Sequence, residues 1–235
     1  MYVKHLKRIV DSFLSLIALI VLSPIIILLI IIGAVIMEGN PFFVQPRPGM
    51  KSADGVEKIF KLIKFRTMSN KKDSTGNLLP DYLRLNKYGA LLRASSLDEL
   101  PELLNILVGD MAIVGPRPQL VRDMVFMTEE QRRRHIVRPG LTGLAQISGR
   151  NNISWEQKFE FDLQYIDNGI TFFGDLGIII RTIFKVLKRE NTVREGTVSD
   201  IDLGDWLLQN SRISYEEYRE GNRIAKNLME EVADQ

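Results

Sequence analysis

Apolar positions in this chain are concentrated near its start. From Ser12 to Met37 a run of 26 consecutive residues carries no charge, and most of them are aliphatic. As one straight helix that run would reach roughly 39 Å, enough to cross a hydrocarbon core of ~30 Å. Ser23-Pro24 falls at its middle, where proline removes a backbone donor and disfavours helical geometry at the preceding residue. Each half alone is too short to cross. Lys4, Lys7 and Arg8 precede the run, and Arg47, Lys51, Lys58, Lys61, Lys64 and Arg66 follow it; basic flanks of this kind mark the cytoplasmic side at both ends. The pattern predicts a re-entrant helix-break-helix bent at Ser23-Pro24, with the Ser23 hydroxyl satisfying backbone groups that the proline frees. A kinked spanning helix is the competing reading. A cleavable signal peptide fits poorly, because the run exceeds the ~7–15 residues of an h-region and no A-x-A site follows.

Farther along, residues 39–50 are dense in Gly and Pro and predict a turn-rich connection. Residues 58–68, KIFKLIKFRTM, suit either a short strand or a basic interfacial segment. Residues 69–80 predict a polar loop, and Tyr82–Leu92 a helix. Pro101 starts another helix that Gly109 ends. MAIVGPRPQL is a short strand entering a stiff turn, residues 128–135 a charged helix, residues 138–150 a glycine-punctuated loop, and Trp155–Ile166 a helix. Over residues 171–190, Phe172, Phe173, Leu176, Ile179, Ile180, Ile183, Phe184 and Leu187 recur at helical spacing, with Arg181, Lys185 and Lys188 off that face. A core helix and a helix lying in a membrane interface both fit this stripe. From Glu195 onward the pattern predicts a solvated, acidic helical appendage.

Charge sharpens the division. The formal net charge is only +2, yet residues 1–150 hold 21 basic against 13 acidic side chains, and residues 151–235 hold 10 against 16. The absence of cysteine excludes disulfides, a thiolate nucleophile and Cys-ligated metals. His5 and His135 are too few and too far apart for the common zinc patterns. Neither G-x-G-x-x-G nor G-x-x-x-x-G-K-[ST] occurs. Asp98-Glu99, just ahead of Pro101, pairs two carboxylates, of which one could attack phosphorus while the other holds Mg2+. On these residues alone the simpler reading is structural, since Ser96-x-x-Glu99 matches a helix capping box. Arginine placement adds weight to the chemical one. Arg117 is locked between Pro116 and Pro118, Arg138 precedes Pro139-Gly140, and Arg150 closes the run Gly143 to Gly149. Together with Lys64 and Arg66 they suit an oligoanionic ligand. Nucleic acid is disfavoured, because no recognition motif accompanies the basic half.

The order of motifs resembles that of the bacterial sugar transferases known as monotopic phosphoglycosyl transferases. The likeness runs over about residues 4–190 and rests on Lys7-Arg8-x-x-Asp11, Ser23-Pro24, FFVQPRPG, KFRTM, Asp98-Glu99-Leu100-Pro101, LLNILVGDMAIVGPRP, RPGLTGLAQISGR and FDLQYI. The resemblance implies a two-step reaction in which Asp98 attacks the β-phosphate of a UDP-sugar and expels UMP. Polyprenyl phosphate would then take the phosphosugar from the aspartyl intermediate. It also implies Mg2+ bound by Glu99 with Asp98, a supporting Lys64, phosphate or nucleotide contacts from Arg117 and Arg150, and a further acidic position at Asp162. Arg66, Arg93, Pro116, Arg138 and Gln146 complete the expected substrate-binding set. Two departures stand out. Leu144 occupies a position where many members have Trp, and Pro46 replaces the usual glutamate.

The expectation is therefore an α+β, mainly helical protein: a membrane hairpin over residues 1–40, a catalytic domain with short strands and interfacial helices over 41–194, and an acidic helical extension over 195–235. It would face the cytoplasm on the bacterial inner membrane, with a UDP-sugar, polyprenyl phosphate and membrane lipids as partners and no nucleic acid. Self-association to a homo-oligomer is the role to test for the tail. The alternative function is a catalytically silent membrane scaffold for glycan-assembly enzymes.

Overall fold

The computed structural model describes residues 2–149, 153–188 and 201–233. A π-helical turn, Tyr2–Leu6, leads into α1 (Lys7–Ile36), followed by β1 (Phe42–Lys51), β2 (Glu57–Phe65), α2 (Asp81–Arg84), α3 (Lys87–Ser95), a 3-10 turn Leu97–Glu99 and α4 (Glu102–Val108). Then come β3 (Ala112–Val114), α5 (Val121–Val125), α6 (Glu129–Arg132), a 3-10 turn Arg133–Ile136, β4 (Gly140–Thr142) and α7 (Leu144–Ser148). The helices α8 (Trp155–Asp167), α9 (Phe172–Leu187), α10 (Leu203–Gln209) and α11 (Tyr215–Ala233) complete the chain. The class is mainly helical α+β, as expected.

The long α1 runs through Ser23-Pro24 as one helix. The expected break is corrected, but its predicted chemistry is present: the Ser23 hydroxyl donates to the Ile20 carbonyl at 2.7 Å. That carbonyl lies four residues before Pro24 and would otherwise have accepted the amide proton that proline lacks. One stripe of α1 packs on the rest of the chain along its whole length. Lys7, Asp11, Ser15, Leu29 and Gly33 are buried. Arg8 donates to the Ile106 and Leu107 carbonyls at 2.7 and 2.8 Å, and the Ser15 hydroxyl donates to Leu103 O at 2.6 Å. Near the other end the Tyr88 hydroxyl donates to Leu29 O at 3.0 Å. The opposite face, including Ile9, Phe13, Ile20, Val21, Ile27, Leu28, Ile31 and Val35, is exposed.

Most of the 39–50 segment belongs to the ten-residue strand β1, Phe42–Lys51, rather than to a turn-rich connection. It pairs antiparallel with β2, Phe42 opposite Phe65 and Pro48 opposite Ile59, in a two-stranded sheet. Prolines at 46 and 48 share one edge of the strand, and an open edge is where a missing amide costs no ladder bond. The basic 58–68 segment thus resolves as mostly strand. The 82–92 helix is interrupted before Asn86, whose side chain caps α3 by accepting the Gly89 amide at 2.8 Å. The 138–150 loop contains β4 and α7; β4 pairs parallel to β3, Ala112 with Gly140 and Val114 with Thr142.

Phe60, Leu62, Leu103, Ile106 and Met111 form one core against Ala18, Leu19 and Leu22 of α1. Phe65, Leu92 and Leu29 form the next. α9 buries Ile178 against Val114, Ile147 and Tyr165. Its other face, with Phe172, Phe173, Leu176, Ile180, Ile183 and Phe184, is exposed. The start of α9 is tied to the start of α1: Asp175 accepts Lys7 Nζ at 2.7 Å, the Tyr2 hydroxyl at 2.9 Å and the Tyr165 hydroxyl at 2.8 Å. The tail is helical as expected but is docked, with Leu203 buried against Met127, Trp155 and Phe159.

Candidate active site

Lys64, Asp98, Glu99, Glu102 and Arg117 converge from β2, the Leu97–Glu99 turn, the first residue of α4 and the turn after β3. Each is held by local structure. β3 and β4 approach closely at two glycines: a Cβ on Gly115 would lie 2.4 Å from Arg138 O, and one on Gly140 would lie 2.1 Å from the Gly115 amide nitrogen. That approach lets Pro116 O accept the Gly140 amide at 2.9 Å and fixes the start of the Pro116-Arg117-Pro118 turn. α4 is anchored at its far end, where Gly109 adopts φ +101° and its carbonyl accepts Arg138 Nε at 2.9 Å. Ahead of the dyad, Ser96 adopts φ +56°, a left-handed conformation that costs a non-glycine residue roughly 1–2 kcal/mol.

The capping-box reading of Ser96 and Glu99 fails here. The Ser96 side chain makes no cap hydrogen bond. Glu99 instead accepts Arg117 Nη2 at 2.6 Å and Lys64 Nζ at 3.2 Å. Lys64 Nζ also lies 3.0 Å from Glu102 Oε1. Burial, then the neighbouring Glu99 charge, push the Asp98 carboxyl up to about 6, against the pull of Lys64, Arg117 and Arg93. Burial likewise raises Glu102. Glu99 holds Arg117 above its already high range. The carboxylates of Asp98, Glu99 and Glu102 are hard oxygen donors of the kind that suit Mg2+. No three acidic or histidine side chains among the described residues form a ready-made metal cage. Mg2+ ordinarily combines one or two carboxylates with substrate phosphates, so this donor set fits.

The other expected residues divide. Arg93 donates to Thr67 Oγ1 at 3.0 Å and contributes to the field at Asp98. Arg66 is turned to the Asn40 carbonyl, at 3.0 Å. Both amide atoms of Gln146 are buried without a hydrogen-bond partner among the described residues. Its Oε1 lies 2.8 Å from where a Cβ on Gly143 would sit, and Gly143 in turn backs onto Gly115 O. Arg150 lies outside the described residues. Asp162 is fully buried and accepts Arg134 Nε and Nη2 at 3.0 and 2.6 Å. Arg134 Nη2 also donates to Arg117 O at 2.6 Å. Asp162 therefore bears on the cluster through Arg134, which lies in the charged segment expected to be helical over residues 128–135.

A buried second network lies behind β1 and β2. Glu57 accepts Arg132 Nε at 3.0 Å, a second Arg132 bond through Nη2, and the His135 ring at 3.1 Å. Burial alone would raise Glu57, yet these hydrogen bonds outweigh it and hold the carboxyl at about 2. Burial lowers His135 to about 4, so it is neutral near pH 7.

The site thus sets a half-buried carboxylate dyad, with Glu99 bonded by Lys64 and Arg117, on a body with two exposed apolar helix faces. Residues 2–189 match the family model of the bacterial sugar transferases, and the chain belongs to that family. It is 51% identical over 185 residues to the sugar transferase EpsL of Bacillus subtilis, covering 79% of this chain and 89% of EpsL. It is 37% identical over 189 residues to the UDP-glucose:undecaprenyl-phosphate glucose-1-phosphate transferase of Escherichia coli, 77% of this chain and 40% of that protein. Over 205 residues it is 33% identical to the undecaprenyl-phosphate galactose phosphotransferase of Salmonella typhimurium, 80% of this chain and 41% of that protein. The chain thus spans about two-fifths of the length of each of these last two.

Proposed function

We propose that this chain transfers a sugar-1-phosphate from a UDP-sugar to undecaprenyl phosphate, with Asp98 as the nucleophile. The observation that carries the reading is the convergence of Asp98 with Glu99, Lys64 and Arg117, which join residues 64, 98–99 and 117 of a chain belonging to the sugar transferases. An oxygen of the Asp98 carboxylate attacks the β-phosphorus, the bond to the bridging oxygen breaks, and UMP leaves with the electron pair. The product is an acyl phosphate carrying the sugar. A phosphate oxygen of undecaprenyl phosphate then attacks the same phosphorus, Asp98 leaves as a carboxylate, and the lipid diphosphosugar forms. Arg117 and Lys64 face the phosphoryl oxygens, where preorganised cations act most strongly in a dry site. Oxygens of Glu99 and Asp98 would hold Mg2+, which supplies neutralising charge to the donor's diphosphate.

UMP release tests this directly. Purified enzyme with UDP-glucose, UDP-galactose or UDP-N-acetylglucosamine is expected to release UMP in less than stoichiometric amount alone and with turnover once undecaprenyl phosphate is added. No release with any donor, the behaviour of a scaffold, would overturn the reading.

The same proposal places α1 in the bilayer without crossing it. Its length and composition suffice to cross, but Arg8 and Gly33 both pack against one body, some 25 residues apart, about 38 Å of helix. A helix crossing perpendicular to the membrane would carry its far end away from a domain on the near side. The exposed face of α9 lies in the interface on this reading. Cysteines introduced at Val3 and Asn40 are expected to label from the same side of an intact membrane. Labelling from opposite sides would sink the proposal.

A further inference from the structure

The family match ends at residue 189, yet residues 201–233 form two helices that reach back to α5, which follows the Pro116-Arg117-Pro118 turn, and to α8. Four contacts define the attachment. The buried Asp123 carboxylate of α5 accepts the Leu203 amide at 2.9 Å with one oxygen and the Leu120 amide at 3.1 Å with the other. Arg122 pairs with Asp202. Trp155 Nε1 of α8 donates to Ile201 O at 3.1 Å. The fourth is a socket for Phe126: its ring stacks on Tyr218 at 6.0 Å and lies against the bare backbones of Gly204 and Gly221, where an added Cβ would come within 2.5 and 2.4 Å of ring carbons. The Tyr218 hydroxyl is itself fixed by Asp205 at 2.6 Å.

Both attachment points lead to Arg117. α5 begins four residues after it, so the tail fixes the downstream end of the turn through Leu120 and Asp123. On the other side Leu203 packs with Trp155 and Phe159, and Arg134 lies over the Phe159 ring at 6.0 Å while bonding Asp162 and the Arg117 carbonyl. Tail, α8, Arg134 and α5 thus close around one short turn, which is also held by the β3–β4 pair and by Arg47 of β1, whose Nη1 donates to Pro118 O at 3.3 Å.

We propose that residues 201–225 are a bracket that sets the position of Arg117 for the phosphoryl group of the donor, with Phe126, Gly204, Tyr218 and Gly221 as its positioning residues. The part concerning the donor rests on the transferase reading; the part concerning the turn does not. Loss of the bracket frees the turn, so Arg117 meets the donor less often in the productive pose. None of the four contacts involves β1, β2 or α1, so the strand pair farther from the turn, read at β2, is expected to keep its protection.

The test uses the full chain in detergent with Gly221→Val, which drives a branched side chain into the Phe126 ring, and Tyr218→Ala, a milder variant at a partly exposed position. Hydrogen exchange of amides 117–126 is expected to quicken more than tenfold in both, with amides 57–65 of β2 unchanged. In UMP release, normalised to folded enzyme, the donor KM is expected to rise at least fivefold, with a smaller change in kcat. Unchanged exchange at 117–126 would overturn the bracket. Faster exchange with wild-type kcat and KM would reduce the tail to a support for the fold and overturn its role at Arg117. An inactive parent enzyme would instead overturn the transferase reading, and the exchange result alone would then decide whether the tail holds the turn. Should Gly221→Val not fold, Tyr218→Ala carries both measurements.

Discussion

Asp98→Asn is expected to release no UMP, with or without undecaprenyl phosphate, and at neutral pH to unfold at a higher temperature than the parent. The two effects share one cause. Asp98 is held at about 6 by burial and by Glu99 beside it, whereas an unfolded aspartate titrates near 3.9. The folded state therefore binds its proton more tightly, and between about pH 4 and pH 6 stability falls as pH rises. Above pH 6 the whole penalty is present. Two pKa units correspond to roughly 3 kcal/mol, and sharing of the proton with its acidic neighbours reduces this to the order of 2 kcal/mol. Asparagine has nearly the same shape and no charge, so it avoids the penalty but cannot form the acyl phosphate. The gain should be measurable by thermal unfolding at pH 7.5 and should shrink as pH approaches 4. In the parent, kcat/KM for UMP release should rise with pH through about 6 and then level off, following the free carboxylate. Full turnover by Asp98→Asn would remove the nucleophile from the proposal. An Asn variant that is less stable at every pH would show that the carboxylate is satisfied in the fold, contrary to its raised pKa.

The legible part of this protein was local. The Ser23 hydroxyl reaches a carbonyl three residues back, so its role followed from the Ser-Pro pair alone. Gly109 ends α4, and Thr171, whose side chain accepts the Gly174 amide at 3.1 Å, starts α9. Strand β1 was hidden because two prolines read as turn-formers. Only knowledge that the sheet has two strands, and so an open edge, makes them compatible with pairing. At the site, Lys64, Arg117 and the Asp98-Glu99 dyad were found because each carries a distinctive neighbour: a KFRT run, flanking prolines, an adjoining acid. Arg134 had no such mark. It sits between Arg133, which is exposed and pairs with Glu130 and Asp167, and His135, which is buried against Glu57. Arg132 reaches the buried Glu57, and that Arg134 is the fully buried one of the three depends on Asp162, 28 residues later. Likewise the tail looked like a solvated appendage because Gly204 and Gly221 are blank in a hydrophobicity pattern. Their use lies in the ring they admit.

Arg134→Ala is expected to destabilise the protein by about 3–5 kcal/mol, the usual cost of leaving one partner of a buried ion pair alone. Arg134 and Asp162 are each about 2% exposed, so water cannot replace the lost guanidinium. Burial already raises Asp162, and without Arg134 the carboxyl would rise further. The deficit should therefore be full only above the variant's raised folded-state pKa and should narrow as pH falls from there toward the ordinary aspartate range, as the buried group takes up a proton in the folded state. The pair Arg134→Met with Asp162→Leu should recover most of the lost stability, because apolar replacement of both partners removes the desolvation penalty along with the attraction. It should not recover activity. Arg134 alone among the described hydrogen bonds donates to the Arg117 carbonyl, at 2.6 Å. Losing a hydrogen bond from a charged donor costs about 1.5–3 kcal/mol, so a folded double variant is expected to release UMP at least tenfold more slowly at low donor concentration. Denaturant titration across pH gives the first quantity and initial rates give the second. A double variant as stable and as active as the parent would make the Asp162–Arg134 pair a packing feature with no bearing on Arg117. Recovery of stability without activity would separate the two things this pair does, filling the interior and aiming a turn.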